Sequence, residues 1–455
     1  MPEKHNLTHG SLWKKILLFS FPLMISNLLQ VLFNMSDIAV VGQFAGPNAL
    51  GSVGSTTTLV TLFTGFLIGM GSGVNVVAAR YFGAQEDEQL RETVHTSLIL
   101  CIITGLCILL LGQVFSRLIL ELLQTKPELI DGAALYLRIY FLGMPAMAIY
   151  NFGSAVLSAA GDTKKPLAYL SASGVVNVLL NLFFVVVCHL DVVGVAIASA
   201  VSQWMSAILI LRALCRVDGP HRLCREHLHL TGSKAKLVLR LGLPAGLQNA
   251  IFQFANLFIQ LGVNSFSATV VSGNSAAANA DALVYDVMAA FYTACGSFIG
   301  QNFGAGKLDR VKKTYQISLV YSFGVGAILG LLLVAFGRTF LSLFTNDAAV
   351  IDAGMYRLTV MGFSYAVSAL MDCTISASRG LGMSLIPTIM VVLGSCVFRI
   401  IWIFTVFAHF GTLSSLYLLY VFSWSITAVA EILYFVHIYR RYARRYSPSP
   451  VLQKA

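Results

Sequence analysis

Ala79-Arg80-Tyr81-Phe82-Gly83-Ala84-Gln85 returns as Gly300-Gln301-Asn302-Phe303-Gly304-Ala305-Gly306-Lys307, with the shared Phe-Gly-Ala 221 residues apart. Gly161 and Pro166 recur as Gly382 and Pro387 at the same separation. Pro22 and Asn34 recur as Pro244 and Asn256, 222 apart, and Arg138 and Gly143 as Arg357 and Gly362, 219 apart. Four landmarks keep nearly one offset, close to half of the 455 residues. A single gapped alignment therefore carries the first half onto the second. In a membrane protein, two copies of a helix bundle suggest alternating access around a site between or within the halves. The repeat thus points to a transporter.

The composition requires a membrane. Hydrophobic residues make up 57% of the chain and charged residues 11%, against about 25% charged in a typical soluble domain. Twelve apolar runs are long enough to span, since a hydrocarbon core needs about 20 helical residues. They cover residues 14–42, 49–80, 90–113, 132–160, 165–189, 193–214, 236–263, 274–302, 311–336, 352–379, 384–409 and 412–439. The runs are continuous, without the period-two alternation of a barrel. No cleavable leader is expected: the first run lacks a small-residue cleavage site and is too long for a leader's apolar core.

The net charge of +10 has a topological cause. Of the 30 Lys and Arg, 24 lie in the terminal tails or the even-numbered loops, as in Lys164-Lys165 and Arg440 to Arg445. The odd-numbered loops hold only Arg117, Lys126 and Arg338. Lys and Arg accumulate on the cytoplasmic side, so both termini are expected inside, and nucleic acid is not an expected partner. The eight cysteines form no disulfide framework. Cys215 and Cys224 share the central loop with His221, His227 and His229. That spacing matches no standard zinc pattern, and a solvated loop is the better reading.

The loop from Cys215 to Lys236, broken by Gly219-Pro220 and Gly232-Ser233, divides six spans from six. Six is even, so both halves enter from the inside and the repeat is parallel. The expected architecture is an all-α polytopic membrane protein. Its twelve transmembrane helices form two six-helix lobes related by a pseudo-twofold axis along the membrane normal. The divisions are a cytoplasmic tail 1–13, a first lobe 14–215, a linker 216–235, a second lobe 236–440 and a cytoplasmic tail 441–455. Each lobe carries a proline in its first helix, Pro22 or Pro244, which removes a backbone hydrogen bond and bends the helix. Pro22 is read as a hinge candidate.

These segments resemble a known family: SFPLMISNLLQVLFNMSDIAVVG at 20–42, ARYFGAQ at 79–85, GDTKKP at 161–166 and NVLLN at 177–181. In the second half come LGLPAGLQ at 241–248, GQNFGAGK at 300–307, SRGLGMSLIP at 378–387 and RIIW at 399–402. In order and spacing they are similar to multidrug and toxic compound extrusion (MATE) transporters, more closely the bacterial branches, over residues 12 to 440. The resemblance implies a cell-membrane antiporter that exports organic, often cationic compounds against inward Na⁺ or H⁺.

Polar side chains at membrane depth are costly and are functional candidates by default. Asp37 lies fifteen residues beyond Pro22, about 22 Å along the helix, in the outer half of the first lobe. Asn181 lies the same distance beyond Pro166 on the fifth span, with Asn177 one turn earlier on the same face. Ser199 lies early on the sixth span, at similar depth. Four oxygen-bearing side chains from three helices thus reach one level. One carboxylate with amide and hydroxyl oxygens suits a small hard cation such as Na⁺; alternatively Asp37 carries a proton. The resemblance places a cation site at these four positions. Its pattern often has a second carboxylate where this chain has Asn181, and Thr where it has Ser199, so the ion stays open between Na⁺ and H⁺.

In the second lobe Asp286 lies midway along the eighth span, Asp372 toward the inner half of the tenth, and Glu431 on the twelfth. The copy of the Asp37 region carries Gln253, Asn256 and Gln260 instead of a carboxylate. The lobes have diverged chemically, as expected if one couples to the ion and the other binds substrate. Gln253, Asn256, Tyr285, Asp286, Met288 and Asp372 are the expected lining of the second-lobe cavity. Arg138 and Arg357, near outer helix ends, are expected to snorkel to the interface. No phosphate-binding loop, HExxH or nucleophile elbow is present. The chain is expected to be a transporter, with no cofactor beyond Na⁺, working as a monomer in the bilayer. A lipid-linked saccharide flippase is the alternative.

Overall fold

The computed structural model describes residues 6–446; the ends of both expected tails lie outside the described residues. Among these the chain is helical throughout and contains no strand. The helices are α1 (Leu12–Phe44), α2 (Gly46–Ala84), α3 (Asp87–Leu122), α4 (Pro127–Phe141), α5 (Met144–Ala159), α6 (Lys164–Leu182), α7 (Asp191–Arg216) and α8 (Gly232–Asn264). They continue as α9 (Ala268–Gly304), α10 (Leu308–Leu341), α11 (Ala348–Gly380), α12 (Leu385–Phe410) and α13 (Leu413–Tyr446). Ten rods are individually long and apolar enough to cross a membrane, and α4 with α5, bent by 46°, adds an eleventh. The remaining rod, α8, is 33 residues long and carries Gln248, Asn249, Gln253, Asn256 and Gln260, which lower its apolar character. The chain is a multi-pass membrane protein.

The repeat has a backbone cause. Gly161 and Gly382 both take positive φ, 89° and 86°, where a side chain would be strained. The residue after each Phe-Gly-Ala is also left-handed, Gln85 at 58° and Gly306 at 70°. Each copy ends a long helix in the same turn, and sequence is held where the turn demands it.

The chain divides into two compact units. The first comprises Phe21–Phe82 and Glu86–Gln253; the second comprises Leu7–Ser20, Gly83–Gln85 and the residues from Phe254 onward. These bounds differ from the expected division at the linker. The reason is that α1 and α8 are single rods with their two ends in different packing environments. Residues up to Ser20 of α1 belong to the second unit and those from Phe21 to the first, and Pro22 stands at that changeover.

In the first unit α4, α5 and α6 pack on α7, and α3 on α4 and α5. Here α2 meets α8 backbone to backbone: a Cβ on Gly69 would overlap Gly246, and one on Gly73 would overlap Gly242. Small residues spaced by four let two membrane helices approach this closely. The linker is not the solvated loop expected from its composition. Leu223 and His221 are buried, and Leu223 belongs to the unit's apolar core. His95 of α3 anchors it: Nδ1 donates to the Arg91 carbonyl at 2.8 Å, and Nε2 accepts from the Cys224 N–H at 3.1 Å.

In the second unit α9, α10, α11 and α13 pack together. The segment before α1 is bonded to it residue by residue. Leu7 N–H donates to Gln301 Oε1 at 3.1 Å, Asn302 Nδ2 to the Leu7 carbonyl at 3.3 Å and Lys307 Nζ to the Thr8 carbonyl at 3.0 Å. Arg310 Nη1 donates to the Gly10 carbonyl at 3.1 Å. The polar residues around the second Phe-Gly-Ala thus hold the start of the chain.

Candidate functional site

In the first unit α1, α6 and α7 converge on Asp37. The carboxylate is 9% exposed, and Asn177, Asn181 and Ser199 are buried with it. Asn181 Nδ2 donates to Asp37 Oδ1 and, at 3.3 Å, to Asn177 Oδ1. Ser199 Oγ donates to Asp37 Oδ2 at 3.1 Å. The four residues expected to share a level do meet. Asn177 and Asn181 are one turn apart and so face the same way. Immediately after Asn181 the backbone widens into a π-helical turn, Phe183–Val187, a local irregularity common at functional sites.

The hydrogen bonds fix the Asn181 amide, because its nitrogen faces two acceptors. Its oxygen is therefore the group left over: Asn181 Oδ1 is buried and accepts no hydrogen bond among the described residues. A buried acceptor without a donor costs about 1–3 kcal/mol. The cluster holds one formal charge and oxygens from four side chains, one of them unused, which is a donor set a small hard cation fits. Asp37, with two donors on separate oxygens, equally suits a group that exchanges a proton.

Sequence reasoning missed Tyr136 and Tyr140. One turn apart on α4, they are buried, stack at 5.7 Å and lie within electrostatic reach of Asp37. The signal available was two tyrosines at helical spacing, either side of Arg138.

Tyr285 links three of the second-lobe residues: Asp286 adjoins it and Asp372 lies within its electrostatic reach. Asp372 on α11 accepts from Ser368 Oγ at 3.2 Å and from the Tyr285 hydroxyl of α9. Asp286 is half-buried on α9 beside Tyr285. Met288 is fully buried, with its sulfur against Gly326 of α10, so it packs as a core residue. Residue spacing put it on the right helix but could not say that its face turns to α10. Gln253 closes the first unit, while Asn256 lies in the second and accepts from Arg399 Nη1 at 3.4 Å.

Arg357 does not snorkel. It is buried and donates to Asn274 Oδ1 at 2.6 Å and to Asp281, which also accepts from the Tyr365 hydroxyl. The Tyr417 hydroxyl donates to the same Asn274 oxygen at 3.1 Å. A carboxylate one helix away gave the guanidinium a partner that its position near a helix end concealed.

A family model described as MatE matches residues 22–183 and 244–405, one match in each half of the chain. The "Probable multidrug resistance protein YpnP" of Bacillus subtilis (strain 168) is 29% identical over 367 residues, covering 80% of this chain and 81% of the relative. The "Probable multidrug resistance protein YoeA" of the same organism is 26% identical over 386 residues, 83% of each chain. Among solved structures, "Crystal structure of MATE in the bent conformation" matches with a TM-score of 0.91 at 20% identity, over 98% of this chain and 100% of that one. That likeness is one of fold.

Proposed function

Since the chain belongs to the MatE family, we propose that it is a secondary multidrug exporter of the cell membrane. It moves organic, often cationic compounds outward in exchange for Na⁺ or H⁺, by alternating access. The names of its relatives support the cargo class. The observation that carries the coupling role is the Asp37 cluster: a carboxylate buried among α1, α6 and α7 with an unused Asn181 oxygen beside it.

Facing outward, Asp37 takes up the ion, and the ion takes over part of what Asn181 and Ser199 now supply. That exchange changes how α1 is tied to α6 and α7. The helix then bends near Pro22, and cargo leaves. Facing inward, the ion is released and cargo reloads. An ion drives such a cycle only through its different affinity for the two states. Cargo binds in the second lobe around Tyr285, Asp286 and Asp372, where two carboxylates and an exposed aromatic ring suit an organic cation. Both termini lie on the cytoplasmic side in this reading, which the Lys and Arg distribution supports. The protein moves its cargo without transforming it, works as a monomer and needs no cofactor beyond the coupling ion.

The test is efflux of a fluorescent organic cation from proteoliposomes under an imposed Na⁺ or pH gradient. Gradient-driven efflux lost in Asp37→Asn supports the reading; efflux unchanged in that variant overturns it.

A further inference from the structure

We propose that the exposed face of α13 from Leu433 onward is a binding site for an anionic phospholipid, whose phosphate the arginines of that face hold at the membrane boundary. The site lies in the second unit, apart from the Asp37 cluster, and does not depend on which ion drives transport.

Over its last turns α13 has two faces. Phe435, Ile438, Tyr439 and Tyr442 recur at helical spacing and pack into the second unit. The Phe435 ring meets Tyr315 of α10 at 4.2 Å and the Tyr442 ring meets Phe303 of α9 at 4.9 Å. The Tyr439 hydroxyl donates to the Leu308 carbonyl at 3.3 Å. The other face carries Leu433, Val436, His437, Arg440 and Arg444, again three or four residues apart, with Arg441 and Arg445 at its edge. A groove of about 650 Å³ runs along it, apolar at the Leu433 end and basic at the other. Leu433 and all four arginines are exposed.

The protein supplies no counter-charge here. None of the four guanidiniums makes an ion pair among the described residues. Glu431, on the same helix, is fully buried. Asp309 of α10 is within electrostatic reach of Tyr439, which belongs to the packed face. Residues 447–455 contain no Asp or Glu. Arginine keeps its charge at every physiological pH. Four positive charges therefore stand within about 7.5 Å of helix, open to an anion.

Their depth selects a lipid. The apolar run of this span ends at residue 439, and the first arginine follows it. Leu433 and Val436 thus lie at the level of acyl chains, and the arginines at the level of headgroups. Basic clusters just beyond a transmembrane helix attract anionic headgroups, and a guanidinium meets a phosphate through two parallel hydrogen bonds. An orientation signal needs its charges on one side of the membrane, on any face of the helix. Here His437, Arg440 and Arg444 share the exposed face with two apolar residues. A soluble acidic partner would cover the arginines alone, whereas a phospholipid covers both ends of the groove.

The experiment titrates the full-length protein in dodecyl maltoside with phosphatidylglycerol and, separately, with phosphatidylcholine, counting bound lipids by native mass spectrometry. Arg440→Gln/Arg444→Gln is compared with wild type and with Arg117→Gln/Arg338→Gln, which removes the same charge from exposed ion pairs elsewhere. Each basic side chain near an anionic surface contributes about fivefold in affinity. Phosphatidylglycerol affinity should therefore fall by about tenfold or more in Arg440→Gln/Arg444→Gln. It should hold in Arg117→Gln/Arg338→Gln, with phosphatidylcholine binding the same in all three. Phosphatidylglycerol should also raise the melting temperature of wild type, and not that of Arg440→Gln/Arg444→Gln, because a ligand of the folded state stabilises it. If that double variant does not fold, Arg444→Gln alone decides, with about a fivefold loss expected. Unchanged phosphatidylglycerol affinity in the Arg440 and Arg444 variants, or an equal loss in Arg117→Gln/Arg338→Gln, overturns the proposal. So does release of the lipid by inorganic phosphate at the lipid's own concentration, which would make a free anion the ligand. None of these readouts requires transport, so the result stands apart from the exporter reading.

Discussion

The amide of Asn181 donates to the Asp37 carboxylate while its own oxygen, equally buried, accepts nothing from the described residues. One side chain thus ties α6 to α1 and leaves an acceptor ready for a cation. Truncation and charge replacement should separate these roles. In Asn181→Ala the Asp37 oxygen loses its donor, and stability should fall by about 1–3 kcal/mol, read as a lower melting temperature, with efflux lost. In Asn181→Asp two carboxylates share the site. The ion concentration for half-maximal efflux should then fall, measured by titrating the external ion.

Pro22 stands within α1 where the helix passes from one compact unit to the other. A proline inside a helix removes one hydrogen bond and costs about 3 kcal/mol. Pro22→Ala should raise the melting temperature and slow efflux, with cargo binding retained. Equal efflux rates in the two proteins would make the bend static.

The Arg357–Asp281 pair shows what a buried charge contributes when a carboxylate stands against it. Removing one member strands the other, at about 3–5 kcal/mol. Asp281→Asn and Arg357→Ala should each lower the melting temperature markedly. Arg338→Ala, whose partner Asp352 is solvent-exposed with it, should lose under about 1 kcal/mol.

His221 makes the docked linker sensitive to acid. Burial, and secondarily the positive charge of Lys165, push its pKa from the ordinary 6.5 down to about 4, with Asp162 acting in the opposite direction. The neutral ring packs edge-on against Phe82 at 5.1 Å. A depressed folded-state value means that the docking free energy is complete above pH 6.5 and is lost as pH falls toward 4. Limited proteolysis of the 216–231 segment should accelerate over that range. In His221→Phe it should stay slow, because the replacement cannot be charged.

Much of this arrangement was legible in the sequence because helices convert spacing into depth. Asp37 and Asn181 each lie fifteen residues beyond a proline, and that arithmetic placed them at one level before any packing was known. The repeat located Gly161 and Gly382, whose positive φ explains their recurrence. Spacing along one helix does not reveal which helix stands opposite. Met288 therefore read as cavity lining and is core, Arg357 read as interfacial and is paired, and Glu431 gave no sign that its carboxylate lacks a donor among the described residues. The linker read as solvated because its composition is polar, yet His95 and Thr96 on α3 hold its backbone.

The most direct test is ethidium efflux from proteoliposomes holding wild type or Asp37→Asn, driven first by an inward Na⁺ gradient and then by an inward pH gradient. Efflux that follows one gradient in the wild type and is absent in folded Asp37→Asn is the predicted result. Asp37→Asn pumping at the wild-type rate under the same gradient would contradict the coupling role of the Asp37 cluster.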